Sequence, residues 1–212
     1  MKVRHLHHGD GTQEAFYCSN KVLTVSFHKY EHGFYPGTGS LDEIGEAWGK
    51  GYNINVPLLS GITDDMYLSI FSKLLLSINQ SFSPDVYVIQ CGGDTLFNDP
   101  FQAFNLTTQG LAECIKQIIE LNKFLLFLGG GGYNLPDTAR LWTTLTNVAL
   151  GNEKVDNDIP EHDYFPLYGP DFTLDTWPGN RKNKNTDSSI NQIYDYIQQN
   201  HMETYIKAQI RS

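Results

Sequence analysis

Val86-Tyr87-Val88-Ile89-Gln90-Cys91-Gly92-Gly93-Asp94-Thr95 is a short, almost wholly apolar run that breaks into two glycines and a carboxylate. Residues rich in β-branched and aromatic side chains, with a breaker behind them, read as a strand, and the lack of polar alternation reads as one covered on both faces. The same design returns at Phe124-Leu125-Leu126-Phe127-Leu128, followed by Gly129-Gly130-Gly131-Gly132. Between the two, Thr107 or Thr108 opens a stretch with Leu111, Cys114, Ile115, Ile118 and Ile119 at helical spacing. Strand, helix and strand in that order predict parallel pairing through a crossover. Upstream, 22–27 and 52–57 read as two more strands, Pro57 closing the second. Residues 64–78 read as a helix carrying Met66, Leu68, Ile70, Phe71, Leu74 and Leu75, with Thr63 or Asp64 as N-cap. A further helix over about 137–150 follows the glycines. The expected class is α/β, a parallel sheet between helices.

The pattern changes beyond Gly151. Residues 156–185 hold four prolines and five aromatics without periodicity, which predicts an ordered loop wrapped on the body. A last helix begins near Ser188 with Ile193, Tyr196 and Ile197 on one face, and the tail after Tyr205 is expected to fray. With no internal repeat or low-complexity linker, 1–212 reads as one domain. A strand over 3–7 starts almost at Met1, and four or five strands make a small sheet whose exposed edge would need cover. The chain therefore reads as part of something larger.

Composition narrows the function classes. At 212 residues, 40% hydrophobic and 18% charged, the chain is globular and not disordered. A net charge of −9 opposes binding to nucleic acid through a general basic surface and suits a basic partner such as a lysine-rich tail. No apolar run is long enough to span a membrane, and the start lacks the apolar core of a secretory signal. Cys18, Cys91 and Cys114 form no CxxC pair and no even framework, which points to a reducing setting.

In parallel sheets functional groups gather past the carboxyl ends of strands, and three such ends carry suggestive residues. In an extended His5-Leu6-His7 the two imidazoles share a face about 7 Å apart and could ligate one metal; the alternative is an exposed histidine-rich start. Asp94 could reach a metal or a base, or could cap the next turn. The four glycines permit close backbone approach, and Tyr133 at their lip could donate to a developing oxyanion or simply pack. The run is neither a dinucleotide fingerprint nor a Walker loop, and no GxSxG elbow is present. Histidine and aspartate donors with an open position suit a Zn²⁺ that activates water for amide or ester hydrolysis.

His7-His8-Gly9-Asp10-Gly11, His28-Lys29 with Gly33-Phe34-Tyr35-Pro36-Gly37-Thr38-Gly39, Gly93-Asp94-Thr95, Gly129-Gly130-Gly131-Gly132-Tyr133-Asn134 and Ala139-Arg140-Leu141-Trp142 occur in order. Together they closely resemble the zinc-dependent class I histone deacetylases, from about His7 to near Gln198. The resemblance implies an arginase-like α/β fold and hydrolysis of acetyl-lysine in histone tails or other proteins. It divides the chain into a divergent start over 1–6, an α/β core over 7–150, and a loop with terminal helix over 151–212. It implies Zn²⁺ or Fe²⁺ held by His7 and Asp94, with Tyr133 polarising the acetyl carbonyl and Asp10 orienting an active-site histidine. Tyr35 falls on an aromatic wall of the substrate tunnel and Phe101 at its rim, and Gly131 and Gly132 are implied as tunnel residues too. Ser26 and Phe27 match one site for K⁺ or another monovalent cation; Phe16, Ser19, Val22 and Tyr52 match a second.

The family's Asp-x-Asp-x-His-His-Gly-Asp-Gly is Val3-Arg4-His5-Leu6-His7-His8-Gly9-Asp10-Gly11 here. His5 thus replaces the third zinc-ligand aspartate. That exchange removes one negative charge from the ligand set and alters its geometry. The family's catalytic His-His pair is not matched by His28, His32, His162 or His201. On the resemblance it lies upstream of Met1, and the chain is expected to be the C-terminal portion of such a domain. The alternative is a non-catalytic fragment or isoform retaining only binding surface. A nuclear setting, with cytoplasm as the alternative, is implied by the resemblance alone, because Arg181-Lys182-Asn183-Lys184 is a weak basic cluster.

Overall fold

The computed structural model describes residues 6–152, 156–202 and Tyr205. Its elements are α1 (Asp10–Phe16), β1 (Thr24–Lys29), β2 (Asn53–Leu58), α2 (Asp64–Ser81), β3 (Val86–Gln90), α3 (Thr108–Ile119), β4 (Phe124–Leu128), α4 (Leu135–Ala149) and α5 (Asp187–Ile197). Short 3-10 turns lie at Ala47–Gly49 and Phe165–Tyr168, and a π-turn at Gln198–Met202. β1 pairs with β2 in parallel, Thr24 opposite Asn53, and β3 with β4 in parallel, Val86 opposite Phe124. Among the described residues these form two separate two-stranded sheets. Leu6 links their carboxyl ends. Its carbonyl accepts from the Lys29 N–H at the end of β1 (2.9 Å), and its own N–H donates to Asp94 Oδ1 beyond β3 (3.1 Å).

The core lies between sheet and helices. α2 lays Tyr67, Ile70, Phe71, Leu74, Leu75 and Ile78 along one buried stripe, the i, i+3, i+4 spacing of an amphipathic helix. Phe27 of β1 packs its ring 5.4 Å from Tyr67 and 5.7 Å from Phe71. Leu111, Cys114, Ile115 and Ile118 give α3 its buried face. Thr107 caps α3, accepting from the Gly110 N–H (3.1 Å) and donating to Asp64 Oδ2 (2.6 Å) at the head of α2.

Several expectations shift. Most of the strand expected at 3–7 falls in Met1–His5, outside the described residues, and Leu6 and His7 form a bend. β1 runs two residues later than read, and β2 continues through Pro57 to Leu58. Proline is tolerated there because, among the described residues, β2 pairs on one side only. α4 begins at Leu135, two residues early, since the Asn134 side chain accepts from the Asp137 N–H (3.2 Å) and Pro136 is admitted in the first turn. α1 had no apolar periodicity to reveal it, and its buried residue is Gln13. β4 differs most. Leu125 and Phe127 pack on the core, but Phe124, Leu126 and Leu128 are 79%, 50% and 45% exposed.

The loop over 156–185 is ordered on the body as expected. Arg140 of α4 pins it, donating through Nε to the Thr173 carbonyl (2.7 Å) and through Nη2 to that of Tyr168 (2.6 Å). The same guanidinium binds Asp137 Oδ1 (2.6 Å), so α4 and the loop share one buried cation.

Candidate functional site

The segment after Leu6 crosses the carboxyl ends of the strands and opens a cleft of about 430 Å³. His7, His8, Gly9, Asp10, Tyr35, Gln90, Phe101 and Tyr133 line it. Five residues singled out from the sequence (His7, Asp10, Tyr35, Phe101 and Tyr133) thus share one wall-to-wall space, although they are spread over more than half the chain. Asp94 is fully buried next to it. With Oδ1 held by the Leu6 N–H, its Oδ2 lies 3.7 Å from His7 Nδ1.

His7 is caged by rings. Phe34 stacks on it at 5.1 Å with planes 7° apart, while Phe101 (4.7 Å) and Tyr35 (6.1 Å) meet it edge-on. Phe101 in turn meets the Tyr133 ring at 5.1 Å. Offset and edge contacts of this kind fix ring planes, so the imidazole is held in orientation independently of any bound ion. Two ligands of a tetrahedral metal at about 2.0–2.1 Å lie about 3.4 Å apart. The His7–Asp94 separation of 3.7 Å is close to that, and one nitrogen with one carboxylate oxygen is a zinc-type donor set. Among the described residues no group of three His, Cys, Asp or Glu side chains gathers as a complete metal site. His5, the third ligand that the resemblance implies, lies outside the described residues.

The cleft rests on a buried polar network. Gln13 of α1 accepts from His8 Nε2 (3.0 Å) and from the amides of Asn53 (2.7 Å) and Asn55 (2.9 Å) of β2. His8 Nδ1 is 2.8 Å from Thr38 Oγ1. Glu43 accepts from the Gly39 and Ser40 N–H groups (2.8 and 3.0 Å), and these with its Gln13 contact hold its carboxyl below the usual range against the cost of partial burial. His28 donates through Nε2 to the Gly39 carbonyl (2.9 Å). Burial first, and the neighbouring His8 second, push it down to about 3, so it is a neutral structural ring. The loop that carries Phe34 and Tyr35 is thereby tied to α1 and β2. Asp10 heads α1, with Oδ1 accepting the Gly11 N–H (2.7 Å).

The remaining expected residues lie off the cleft. Gly131 accepts from the Gly93 N–H (2.6 Å), joining the loops after β3 and β4. Gly132 has φ +139°, and a Cβ there would collide with Thr138 Oγ1. Both support the loop that carries Tyr133 and do not line the cleft. Ser26 Oγ and its carbonyl lie 3.0 and 3.1 Å from His28 Nδ1, and Phe27 is buried in β1. Phe16, Ser19 and Val22 lie on α1 and the connection to β1, while the Tyr52 carbonyl, just before β2, accepts the Thr24 N–H (3.1 Å). Phe34, Gln90 and the Gln13–Glu43 clamp were missed from sequence. Gln90 ends a strand and was open to the same rule that found Asp94; nothing local marks the clamp.

Residues 5–149 match the histone deacetylase domain family. Histone deacetylase 8 of Xenopus laevis is 43% identical over 195 residues, covering 92% of this chain and 60% of that protein. Human histone deacetylase 1 is 45% identical over 188 residues, 89% of this chain and 39% of its own length. Histone deacetylase 1 of rice, Oryza sativa subsp. japonica, is likewise 45% identical, with 36% of its length covered. The chain spans between about a third and three fifths of the relatives it matches. It belongs to the histone deacetylase family.

Proposed function

We propose that this histone deacetylase family member hydrolyses acetyl-lysine in histone tails or other proteins, releasing acetate and free lysine. What supports the reading is one juxtaposition: the His7–Asp94 donor pair, the Tyr133 phenol and a ring-lined wall meet at a single cleft. His7 and Asp94 would hold Zn²⁺ or Fe²⁺, with His5 as the third ligand by resemblance. When bound, the ion supplies a Lewis acid that polarises the amide carbonyl and lowers the pKa of water.

Other roles fall to the chain's own groups. Tyr35 and Phe101 receive the aliphatic lysine arm and exclude water around it. Tyr133 donates its O–H to the carbonyl oxygen as negative charge develops there. Asp10 stands where the family's aspartate orients the histidine that moves the proton from water to the departing amine, a histidine that none of His28, His32, His162 or His201 matches. The carbonyls of Phe27, Phe16, Ser19, Val22 and Tyr52, with the oxygens of Ser26, are offered to K⁺ or another monovalent cation. A net charge of −9 favours a basic tail over nucleic acid. Among the described residues no helix is long and apolar enough to cross a membrane. The setting that goes with this reading is the nucleus, with cytoplasm as the alternative.

The test is zinc content and acetate release from an acetyl-lysine peptide by the purified 212-residue chain. About one zinc per chain is expected, with turnover if a histidine of this chain takes the place of the unmatched pair. Tyr133→Phe should keep the zinc and lose roughly a hundred- to a thousandfold in kcat, and Asp94→Ala should lose both. Zinc without turnover would favour the non-catalytic alternative, and no zinc at all would sink the metal reading.

A further inference from the structure

We infer that Asp99 is the positioning residue for Tyr133 and Phe101. The inference rests on the reading of Tyr133 as the group that polarises the substrate carbonyl. Asp99 lines no part of the cleft and is 1% exposed. Its Oδ2 accepts the Tyr133 N–H (2.8 Å) and its Oδ1 the Phe101 N–H (3.0 Å). These two residues sit on different loops, one after β4 and one after β3, and their rings meet edge-on in the cleft. One carboxylate therefore sets the spacing of both. The backbone of Asp99 is itself held, its N–H donating to the Leu96 carbonyl (3.2 Å) and its carbonyl accepting from Gln102 (2.9 Å).

Among the described residues Asp99 makes no ion pair, and a buried carboxylate held only by amides is costly unless both oxygens are used. Here both are. The other ties between the loops, Gly93 N–H to the Gly131 carbonyl and Asn134 Nδ2 to the Asn98 carbonyl (3.2 Å), flank Tyr133 without touching it. Asparagine at 99 would keep one acceptor and turn an N–H₂ toward the second amide.

The experiment uses the full chain loaded with zinc and compares Asp99→Asn, Tyr133→Phe and the double variant. Hydrogen exchange at the Tyr133 and Phe101 amides should rise roughly ten- to a hundredfold in Asp99→Asn, with β1 and β2 amides unchanged. On an acetyl-lysine peptide kcat should fall roughly ten- to a hundredfold with KM raised through the loosened Phe101, and once Tyr133 is phenylalanine Asp99→Asn should lower kcat no further while still raising KM. Unchanged exchange at both amides, or an equal kcat loss in the two backgrounds, overturns the inference. If the parent chain shows no turnover, as it would for want of the histidine base alone, exchange at the two amides decides the inference. Should Asp99→Asn fail to fold, Asp99→Glu keeps two acceptors on a longer arm. It should show the same two faster amides and a lowered kcat, and unaltered values for both would equally overturn the inference.

Discussion

His201 shows what one buried side chain adds to the pH response. Its Nδ1–H donates to the Gly51 carbonyl (2.8 Å), and among the described residues its buried Nε2 has no hydrogen-bond partner. Charging the ring would place a second N–H there, so burial pushes its pKa down to about 4, the Gly51 carbonyl only partly opposing the shift. A depressed histidine pKa means that the unfolded chain binds the proton better. The stabilisation is complete above pH ~6.5 and is lost as pH falls toward about 4. His28, pushed to about 3, acts in the same direction. Denaturant unfolding should therefore show stability falling between pH ~6.5 and ~4, and His201→Gln should flatten that fall by up to roughly 3 kcal/mol at its acid end. An identical pH slope in the variant would refute the assignment. Sequence could not separate His201 from the exposed His162, because burial of a lone histidine leaves no local pattern. The motif residues after β3 and β4 were legible for the opposite reason: strand ends followed by glycines announce where Asp94 and Tyr133 come to lie.

At the level of elements, the helices with an apolar stripe were legible, and those without one were not. α2 and α3 declare themselves through period 3.6, and their junction depends on one hydroxyl. Thr107 satisfies an orphan amide of α3 and donates to Asp64, whose carboxyl is raised by burial despite that bond. Thr107→Ala removes the cap and one donor to a half-buried acid, and should cost about 1–2 kcal/mol in denaturant unfolding, with Thr107→Ser recovering most of it. Equal stability of the alanine and serine variants would show that the cap contributes nothing. α1 and β4 mark the limit. Gln13 is buried by hydrogen bonds that arrive from β2 and from Glu43, so its position is decided by partners 30 to 42 residues away. In β4 all five residues are apolar, so the alternation between a packed and a bare face has no sequence contrast to express it.

That bare face governs the behaviour of the whole molecule. Phe124, Leu126 and Leu128 continue into Trp142 and Leu150 of the α4 region, beside a groove of about 460 Å³ lined by Cys91, Phe127, Leu145 and their neighbours. Among the described residues the outer edge of β4 is also unpaired, which leaves amide and carbonyl groups next to exposed apolar surface. Opposing this is a charge of −9, which repels like chains over about 10 Å at 0.1 M salt and over much less at higher salt. The chain should accordingly bind an apolar dye while folded, and its light scattering should rise as salt is added at fixed protein concentration. The alternation in β4 makes the test specific. Leu126→Lys places its charge on the bare face and should cut dye binding and scattering without loss of stability. Leu125→Lys, one residue away, turns its charge into the core and should destabilise by several kcal/mol. If the two variants exchanged behaviours, the register of β4 on β3 would have to be wrong, because a shift of one residue exchanges the two faces.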